Sequence, residues 1–279
     1  MNMKNLFVGG KVMFYKVVVR DGRHMNREAL KNLLQQIWPH DVNWQRRLVK
    51  GAKGANRLYW IGTKMMEEKF NNLVLYGHKD SPYCVRVEWV LRSLSLPYRF
   101  EHVQVGKRTT YTDGFLSASP TEQVPALSWS TGSLFDSAAC VGYLDETFGF
   151  ILSHPDSFKR HRLWALSNYV SSQIGEPLGR LCWQRFWKKK FNLECDETYC
   201  QRLEKALFPE LDKLEKIAQR APLLGGETSI LEVMAIPLVA LYRRAEVDIT
   251  SYKSVHQWFC EAQKDSVFKA LGYLPKEEH

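Results

Sequence analysis

The stretch that decides the fold is the apolar segment Leu73-Val-Leu-Tyr76, followed by Lys79-Asp-Ser-Pro-Tyr-Cys-Val-Arg86 and a second apolar run. The first segment predicts a β-strand and the second predicts the start of a helix. Ser81 is a good N-cap residue, and Pro82 is pre-set for the first helical position. Cys84 would then lie in the first turn, where the helix dipole favours a thiolate. The corner is therefore either a thiol-binding site or a well-capped helix with a half-buried cysteine.

Composition indicates a soluble protein with a substantial core. The 279 residues are 45% hydrophobic and 13% aromatic, and no apolar stretch reaches the length of a membrane span. We expect no secretory signal, because the N-terminus lacks a short apolar core followed by a small-residue cleavage site. Six scattered cysteines without a Cys-x-x-Cys pair favour reduced thiols, so we expect a cytoplasmic location. We also expect no metal site, since no histidine accompanies the neighbouring Cys195 and Cys200.

The positive charge lies entirely in an N-terminal extension, residues 1–70. This segment holds 14 Lys and Arg against 5 Asp and Glu, which accounts for the whole formal charge of +9. Its pattern predicts a strand at 12–19, a helix between Asn26 and Pro39, and a basic stretch at 40–64. Three interpretations remain: a unit that docks on nucleic acid or an acidic partner, an appendage without a specific role, or a functional chain that starts at Met65 or Met66. Any nucleic-acid contact is expected only through this extension.

Residues 71–149 predict a compact α/β domain, and residues 159–279 predict a domain made only of helices, with a linker at 150–158. The α/β order is β–α–β–α–β–β–α, with strands at 73–76, 98–105, 124–129 and 134–135. The helical domain is expected to contain a long helix at 157–190 interrupted at Gly175-Glu-Pro177. Further helices are expected around 203–218, 230–244 and 251–271.

Four ordered motifs resemble those of the glutathione transferase superfamily across residues 71–275. They are the corner at 81–83, the segment from Phe115 to Leu127, the pair Asp136-Ser137, and Gly225-x-x-x-Ser229-x-x-Glu232. The chain departs from the usual pattern at Ser119, where asparagine is common, and at Glu232, where aspartate is common. The resemblance implies a thioredoxin-like domain followed by an all-α domain, and often a homodimer.

The resemblance also implies that glutathione is a substrate and that several residues hold its peptide part. Val124 would precede a cis proline, Pro125, and pair with the peptide as an added strand. Asp136 and Ser137 would bind the γ-glutamyl ammonium and carboxylate, and Gln123 would add a side-chain contact. From the residues alone, Pro125 could be a trans strand entrance, and Asp136-Ser137 could be a simple N-cap pair.

Ser81 is the residue that the resemblance places against the glutathione sulfur, as hydrogen-bond donor to its thiolate. It could also cap the helix and do no chemistry. Cys84, Tyr76 and Tyr83 are lesser candidates for contact with the thiol. Glutaredoxin-like relatives carry their nucleophilic cysteine at the position of Ser81, so a serine there argues against thiol transfer.

The pocket for a second substrate is expected to draw on the helical domain. Trp164, Tyr169, Trp183 and Trp187 are candidates, although aromatic residues at helical spacing are usually core.

Two functions fit these observations. The first is a serine-type glutathione transferase that conjugates glutathione to a hydrophobic electrophile, as in detoxification, or isomerises a substrate through a glutathione adduct. The zeta-class corner usually reads Ser-Ser-Cys, and Ser81-Pro-Tyr-Cys84 departs from it. The second is a non-catalytic interaction module of a translation or transcription complex, in which the basic extension contacts nucleic acid or an acidic partner.

Overall fold

The computed structural model describes residues 69–220 and 228–273. From Phe70 onward, the described residues form one compact unit. The predicted elements of the basic extension, the two candidate start residues and Gly225 of the fourth motif lie outside the described residues. In the described ranges, no helix is both long and apolar enough to cross a membrane.

A four-stranded mixed sheet forms the first half of this unit. Its strands are β1 (Val74–Gly77), β2 (Arg99–His102), β3 (Ala126–Trp129) and β4 (Gly132–Phe135). Their spatial order is β2-β1-β3-β4, in which β1 and β2 are parallel and the other two pairs are antiparallel. The four predicted strands are confirmed; β2 and β3 are shorter than predicted, β1 is shifted by one residue and β4 is longer.

Three helices cover the two faces of the sheet. They are α1 (Pro82–Ser93), α2 (Asp113–Ala118) and α3 (Ser137–Thr147), and a 3₁₀ turn at Arg108–Thr110 precedes α2. α1 packs against α3, whereas α2 packs against β3 and β4. Tyr76 of β1 and Phe115 of α2 share one buried cluster. This is the thioredoxin-like arrangement that the sequence predicted.

The second half of the unit contains helices only, as predicted. They are α4 (Ser157–Tyr169), α5 (Glu176–Cys182), α6 (Lys188–Lys190), α7 (Glu197–Arg220), α8 (Ile230–Val239), α9 (Lys253–Ala262) and α10 (Ser266–Ala270). Two π-helical turns, Val170–Gly175 and Trp183–Trp187, join α4, α5 and α6 into one continuous helical path. A 3₁₀ turn at Ala240–Tyr242 follows α8.

Two expectations about the helical half are wrong. The helix predicted at 157–190 is not interrupted at Gly175-Glu-Pro177. Pro177 lies in the first turn of α5, directly after a π-helical turn, where a missing backbone N–H is tolerated. Gly175 is required there because a Cβ atom would lie 2.5 Å from the Leu238 side chain of α8. The single helix predicted at 251–271 is two helices, since Asp265 accepts from two backbone N–H groups and starts α10.

Helix α1 joins the two halves of the unit. It packs against α8, and Trp89 of α1 is fully buried. The Trp89 ring lies 4.4 Å from the Phe268 ring, and its indole N–H donates to Asp265 at 3.2 Å. Aromatic pairs of this kind add about 0.5–1.5 kcal/mol beyond their buried area.

The predicted capping box at the start of α8 is confirmed. Ser229 accepts from the Leu231 N–H at 3.2 Å, and the Ser229 N–H donates to the Glu232 carboxylate at 2.8 Å. Glu232 also accepts from the indole N–H of Trp258 at 3.0 Å. Burial raises the pKa of Glu232, while these hydrogen bonds oppose the shift. The capping box therefore gives the buried Glu232 carboxylate hydrogen-bond partners, and it fixes the start of a fully buried helix.

The Ser229→Ala variant is expected to lower the free energy of unfolding by about 1–2 kcal/mol, because a helix cap is lost. The measurement is urea unfolding at neutral pH. The matched control is Ser266→Ala, which changes an exposed serine in the first turn of α10. Equal unfolding midpoints for the two variants would contradict the assignment.

Candidate functional site

Ser81 caps α1 through a long hydrogen bond. Its Oγ accepts from the Cys84 N–H at 3.4 Å, and its backbone N–H donates to the His78 carbonyl at 3.0 Å. Because the hydroxyl oxygen is the acceptor, the hydroxyl hydrogen is not used by the cap. Ser81 is half-buried and can therefore donate to a group placed outside the helix.

The Cys84 thiol is held neutral, which corrects the expectation that the first helical turn favours a thiolate. Its side chain is only 1% exposed, and Sγ accepts from the His78 N–H at 3.4 Å. Burial raises the pKa of Cys84 to about 11, since desolvation outweighs the hydrogen bonds from Ser81 and His78. Cys84 therefore packs in the core, and its contact with a bound thiol stays a prediction.

The two tyrosines near the corner occupy different places. Tyr76 is 4% exposed, its ring lies 5.9 Å from Phe115, and its hydroxyl lies against Gly114 of α2. Tyr76 thus lies in the core on the α2 side, and its contact with a bound thiol stays a prediction. Tyr83 lies beside Ser81 and is half-buried, and burial raises the pKa of its phenol.

The Val124–Pro125 peptide bond is cis, as the resemblance implied. Ser119 is buried and holds the preceding loop by two hydrogen bonds. Its Oγ donates to the Gln123 carbonyl at 2.8 Å and accepts from the Gln123 N–H at 3.1 Å. Serine at this position therefore anchors the loop that carries the cis proline.

Asp136 has a backbone φ of 71°, in the left-handed region that non-glycine residues seldom adopt. Its carboxylate accepts from the N–H groups of Ala138 and Ala139 at 2.9 and 3.0 Å, so it is the N-cap of α3. Strained residues of this kind cluster at ligand sites. Asp136 therefore caps α3, and its exposed carboxylate stands at the helix N-terminus.

The sheet register brings the three motifs to one end of the sheet. Tyr76, at the end of β1, pairs with Ala126 at the start of β3, and Ala126 pairs with Phe135 at the end of β4. The corner after β1, the cis proline before β3 and the Asp136-Ser137 pair after β4 therefore share this edge.

Arg86 is a central residue that sequence reasoning missed. It is 3% exposed, and its two terminal nitrogens donate to Ser137 at 3.1 Å and to Ser171 at 2.9 Å. Its Nε is buried without a hydrogen-bond partner among the described residues. Burial lowers the pKa of Arg86 to about 10, so the guanidinium keeps its charge at neutral pH. The feature of the sequence that could have revealed its role is an arginine on the otherwise apolar face of α1.

A cavity of about 460 Å³ lies between the corner and the helical half. Ser81 and Tyr83 line one side, and Trp183, Trp187 and Tyr199 line the other. Two of the four aromatic residues predicted for this pocket thus belong to it.

The other two predicted aromatic residues lie elsewhere. Trp164 packs against Gly142 of α3, and Tyr169 donates to the Glu210 carboxylate at 2.9 Å.

An ion pair fixes the corner to the helical wall of the cavity. Arg244 lies 3.2 Å from Asp80, and its guanidinium stacks over Phe186 at 4.9 Å. The loop that carries Ser81 is thus held against the π-helical turn that carries the two tryptophans.

Comparisons with known proteins agree with this geometry. Residues 75–154 match the family model described as the N-terminal domain of glutathione S-transferase. The disulfide-bond oxidoreductase YfcG of Escherichia coli K12 is 30% identical over 189 residues, which cover 64% of this chain and 84% of the relative. The chain belongs to the glutathione S-transferase superfamily.

Other members of the superfamily give the same result. A probable maleylacetoacetate isomerase of Drosophila melanogaster is 27% identical over 201 residues, with 71% of this chain and 80% of the relative covered. The crystal structure of glutathione transferase F2 from Populus trichocarpa superposes with a TM-score of 0.65 at 22% identity, covering 71% of this chain and 96% of that one. The last comparison supports the fold.

The Ser171→Ala variant is expected to lower the free energy of unfolding by about 1–3 kcal/mol, because it leaves a buried guanidinium donor without an acceptor. Urea unfolding checks this value. Ser172→Ala is the matched control, since Ser172 is the exposed neighbour. A loss confined to Ser172→Ala, or absent from both variants, would contradict the role of Arg86.

Proposed function

We propose that this protein is a serine-type glutathione transferase, with glutathione bound where the strand ends meet and its thiolate stabilised by Ser81. The observation that carries the proposal is the convergence of the corner, the cis proline and the Asp136-Ser137 pair at one end of the sheet. Membership of the superfamily supports glutathione as the substrate.

The proposed role of Ser81 follows from its geometry. A free thiol has a pKa of about 8.5 and is only a few per cent ionised at neutral pH. The Ser81 hydroxyl hydrogen and the N-terminus of α1 both stabilise negative charge on a sulfur at the corner. A hydrogen bond to a charged group contributes about 1.5–3 kcal/mol, equivalent to roughly 10–100-fold more thiolate.

The peptide part of glutathione fits the other two motifs. An extended peptide beside Val124 would pair with its backbone as an added strand, and Gln123 is exposed beside it. The exposed Asp136 carboxylate suits an ammonium group. Arg86 donates to the Ser137 oxygen, which leaves the Ser137 hydroxyl hydrogen for a carboxylate at the N-terminus of α3.

The second substrate is proposed to occupy the 460 Å³ cavity. Its aromatic wall of Trp183, Trp187 and Tyr199 favours a hydrophobic electrophile. In conjugation the sulfur forms a bond to an electrophilic carbon, and a leaving group such as halide takes the electron pair of the broken bond. Isomerisation through a reversible glutathione adduct is a second candidate, favoured by the isomerase relatives and by Arg180 in the same wall.

The remaining expectations stay predictions. These are the domain boundaries at 71–149, 150–158 and 159–279, the homodimer, the cytoplasmic location and a detoxifying role. The alternative interaction module depends on the basic extension, most of which lies outside the described residues.

Ser81→Ala is expected to lower kcat/KM for conjugation of an aryl halide by about 10–100-fold, because the thiolate loses its hydrogen-bond donor. The thiol pKa of bound glutathione, measured by thiolate absorbance across a pH series, should rise together with this loss. Both quantities are measured on the full chain.

Two further variants separate chemistry from helix capping. Ser81→Gly keeps most of the cap, at a cost of a few tenths of a kcal/mol, but lacks the hydroxyl, so it should resemble Ser81→Ala. Ser81→Thr keeps both functions and should restore activity. Full activity in Ser81→Gly would show that Ser81 only caps the helix and takes no part in the chemistry.

Asp136→Asn is expected to weaken glutathione binding about tenfold or more, because the charge that faces the ammonium is lost while the cap is kept. Binding is measured by calorimetric titration and by retention on immobilised glutathione. Asp113→Asn, at the first residue of α2, is the matched control and should bind like the wild type. Unchanged binding in Asp136→Asn would remove Asp136 from the site.

A further inference from the structure

Two cysteines that the proposed transferase reaction does not use lie in contact at the start of α7. The Sγ atoms of Cys195 and Cys200 are 3.6 Å apart, and neither belongs to the Ser81 corner. Cys195 is exposed, whereas Cys200 is buried. The pair therefore combines one thiol that solvent can reach with one that it cannot.

The geometry allows the pair to close into a disulfide. A disulfide bond is about 2.05 Å long, so the two sulfurs must approach by roughly 1.6 Å. Cys200 is fixed in the first turn of α7. Cys195 lies in an exposed irregular segment, residues 193–196, between α6 and α7. A small movement of this segment is sufficient.

The surroundings suit a disulfide-bearing molecule better than a metal ion. Cys195 lines an open cavity of about 670 Å³ together with two cations, Arg185 and Lys189, and three acids, Glu197, Glu204 and Glu246. The sulfurs and the Glu197 carboxylate lie within 4.8 Å of one another, as three metal ligands would. The Glu197 carboxylate, however, is already paired with Arg185 at 3.4 Å. The two sulfurs that remain are too few for a structural zinc site, which takes about four ligands.

We propose that Cys195 and Cys200 form a redox-active dithiol whose substrate is a small disulfide. The exposed Cys195 sulfur attacks one sulfur of the substrate, and the first thiol leaves with the proton that Cys195 gives up. The Cys200 sulfur then attacks Cys195 Sγ, and the second thiol leaves with the Cys200 proton. The protein dithiol is oxidised to a disulfide, and one small disulfide is reduced to two thiols.

The order of attack follows from burial. Burial and the neighbouring Cys195 raise the pKa of Cys200 to about 11. Cys200 is therefore the resolving thiol, which acts only after Cys195 carries the mixed disulfide.

Hydrogen bonds connect this pair to the substrate cavity. The Asp196 N–H donates to the Gln184 side chain at 3.0 Å, and the Tyr199 N–H donates to the Asp196 side chain at 2.9 Å. Gln184 lines both cavities, and Tyr199 lines the one beside Ser81. These hydrogen bonds place the pair directly beside the wall opposite Ser81.

The test incubates the full chain with glutathione disulfide and, separately, with hydroxyethyl disulfide, followed by mass spectrometry of the intact protein and its peptides. The wild type is expected to form a Cys195–Cys200 disulfide and to lose two titratable thiols. Cys200→Ser should retain one mixed disulfide at Cys195. Cys195→Ser should form neither product, because Cys200 is buried.

Two controls keep the result separate from the proposed transferase activity. Cys260→Ser removes a half-buried cysteine outside the pair and should oxidise like the wild type. Ser81→Ala should also form the Cys195–Cys200 disulfide with both probes, since the two cysteines lie outside the corner proposed to bind glutathione. A wild type that stays reduced, or that keeps a stable adduct at Cys195 beside a free Cys200, would overturn the proposal.

Discussion

The structure depends on one buried charge, the Arg86 guanidinium of α1. It lies between the α/β half and the helical half and donates to one serine in each, Ser137 and Ser171. Burying a charge is costly unless hydrogen bonds compensate it, so these serines stabilise an arrangement that would otherwise be unfavourable. The same guanidinium lies 4.9 Å from the ring of Tyr83, which lines the 460 Å³ cavity. The site and the interface between the two halves therefore share a residue.

Burial also decides which group at the corner can do chemistry. Cys84 and Ser81 are both close to the N-terminus of α1, and a helix dipole contributes at most about 2 kcal/mol. Cys84 points into the core, where desolvation opposes its ionised form. Ser81 needs no ionisation, because a hydroxyl group can donate in its neutral form. Ser81 can thus act as a hydrogen-bond donor although the core next to it, where Cys84 lies, excludes water.

The sequence predicted the parts of the fold that depend on local signals. The Ser81 cap, the capping box at Ser229 and the order of strands and helices along the α/β half all rest on residues close together in the chain, and all are confirmed. The convergence of three motifs followed from their likeness to a known family. The sequence alone gives no strand register, and the register is what brings the motifs together.

The features that were missed depend on contacts between distant segments. Arg86 and Ser171 are 85 residues apart, and nothing local in either segment indicates the other. The sequence did not show which side of the sheet Tyr76 faces, because a residue at a strand end can face either side and packing against α2 decides the side. The Cys195–Cys200 pair was considered only for zinc, and the contact between its sulfurs appears only in three dimensions.

The two π-helical turns decide where the helical wall of the cavity can change its length. A turn with an i→i+5 bond contains one residue more than an α-helical turn. Because the wider turn takes up this residue within one turn, the helix after it continues in nearly the direction of an uninterrupted α-helix. Loss of one residue from Val170–Gly175 would therefore leave Trp183 and Trp187 facing the cavity, whereas the same loss from regular helix would rotate everything after it by about 100°. The wall can thus gain or lose single residues at these turns without losing its aromatic face.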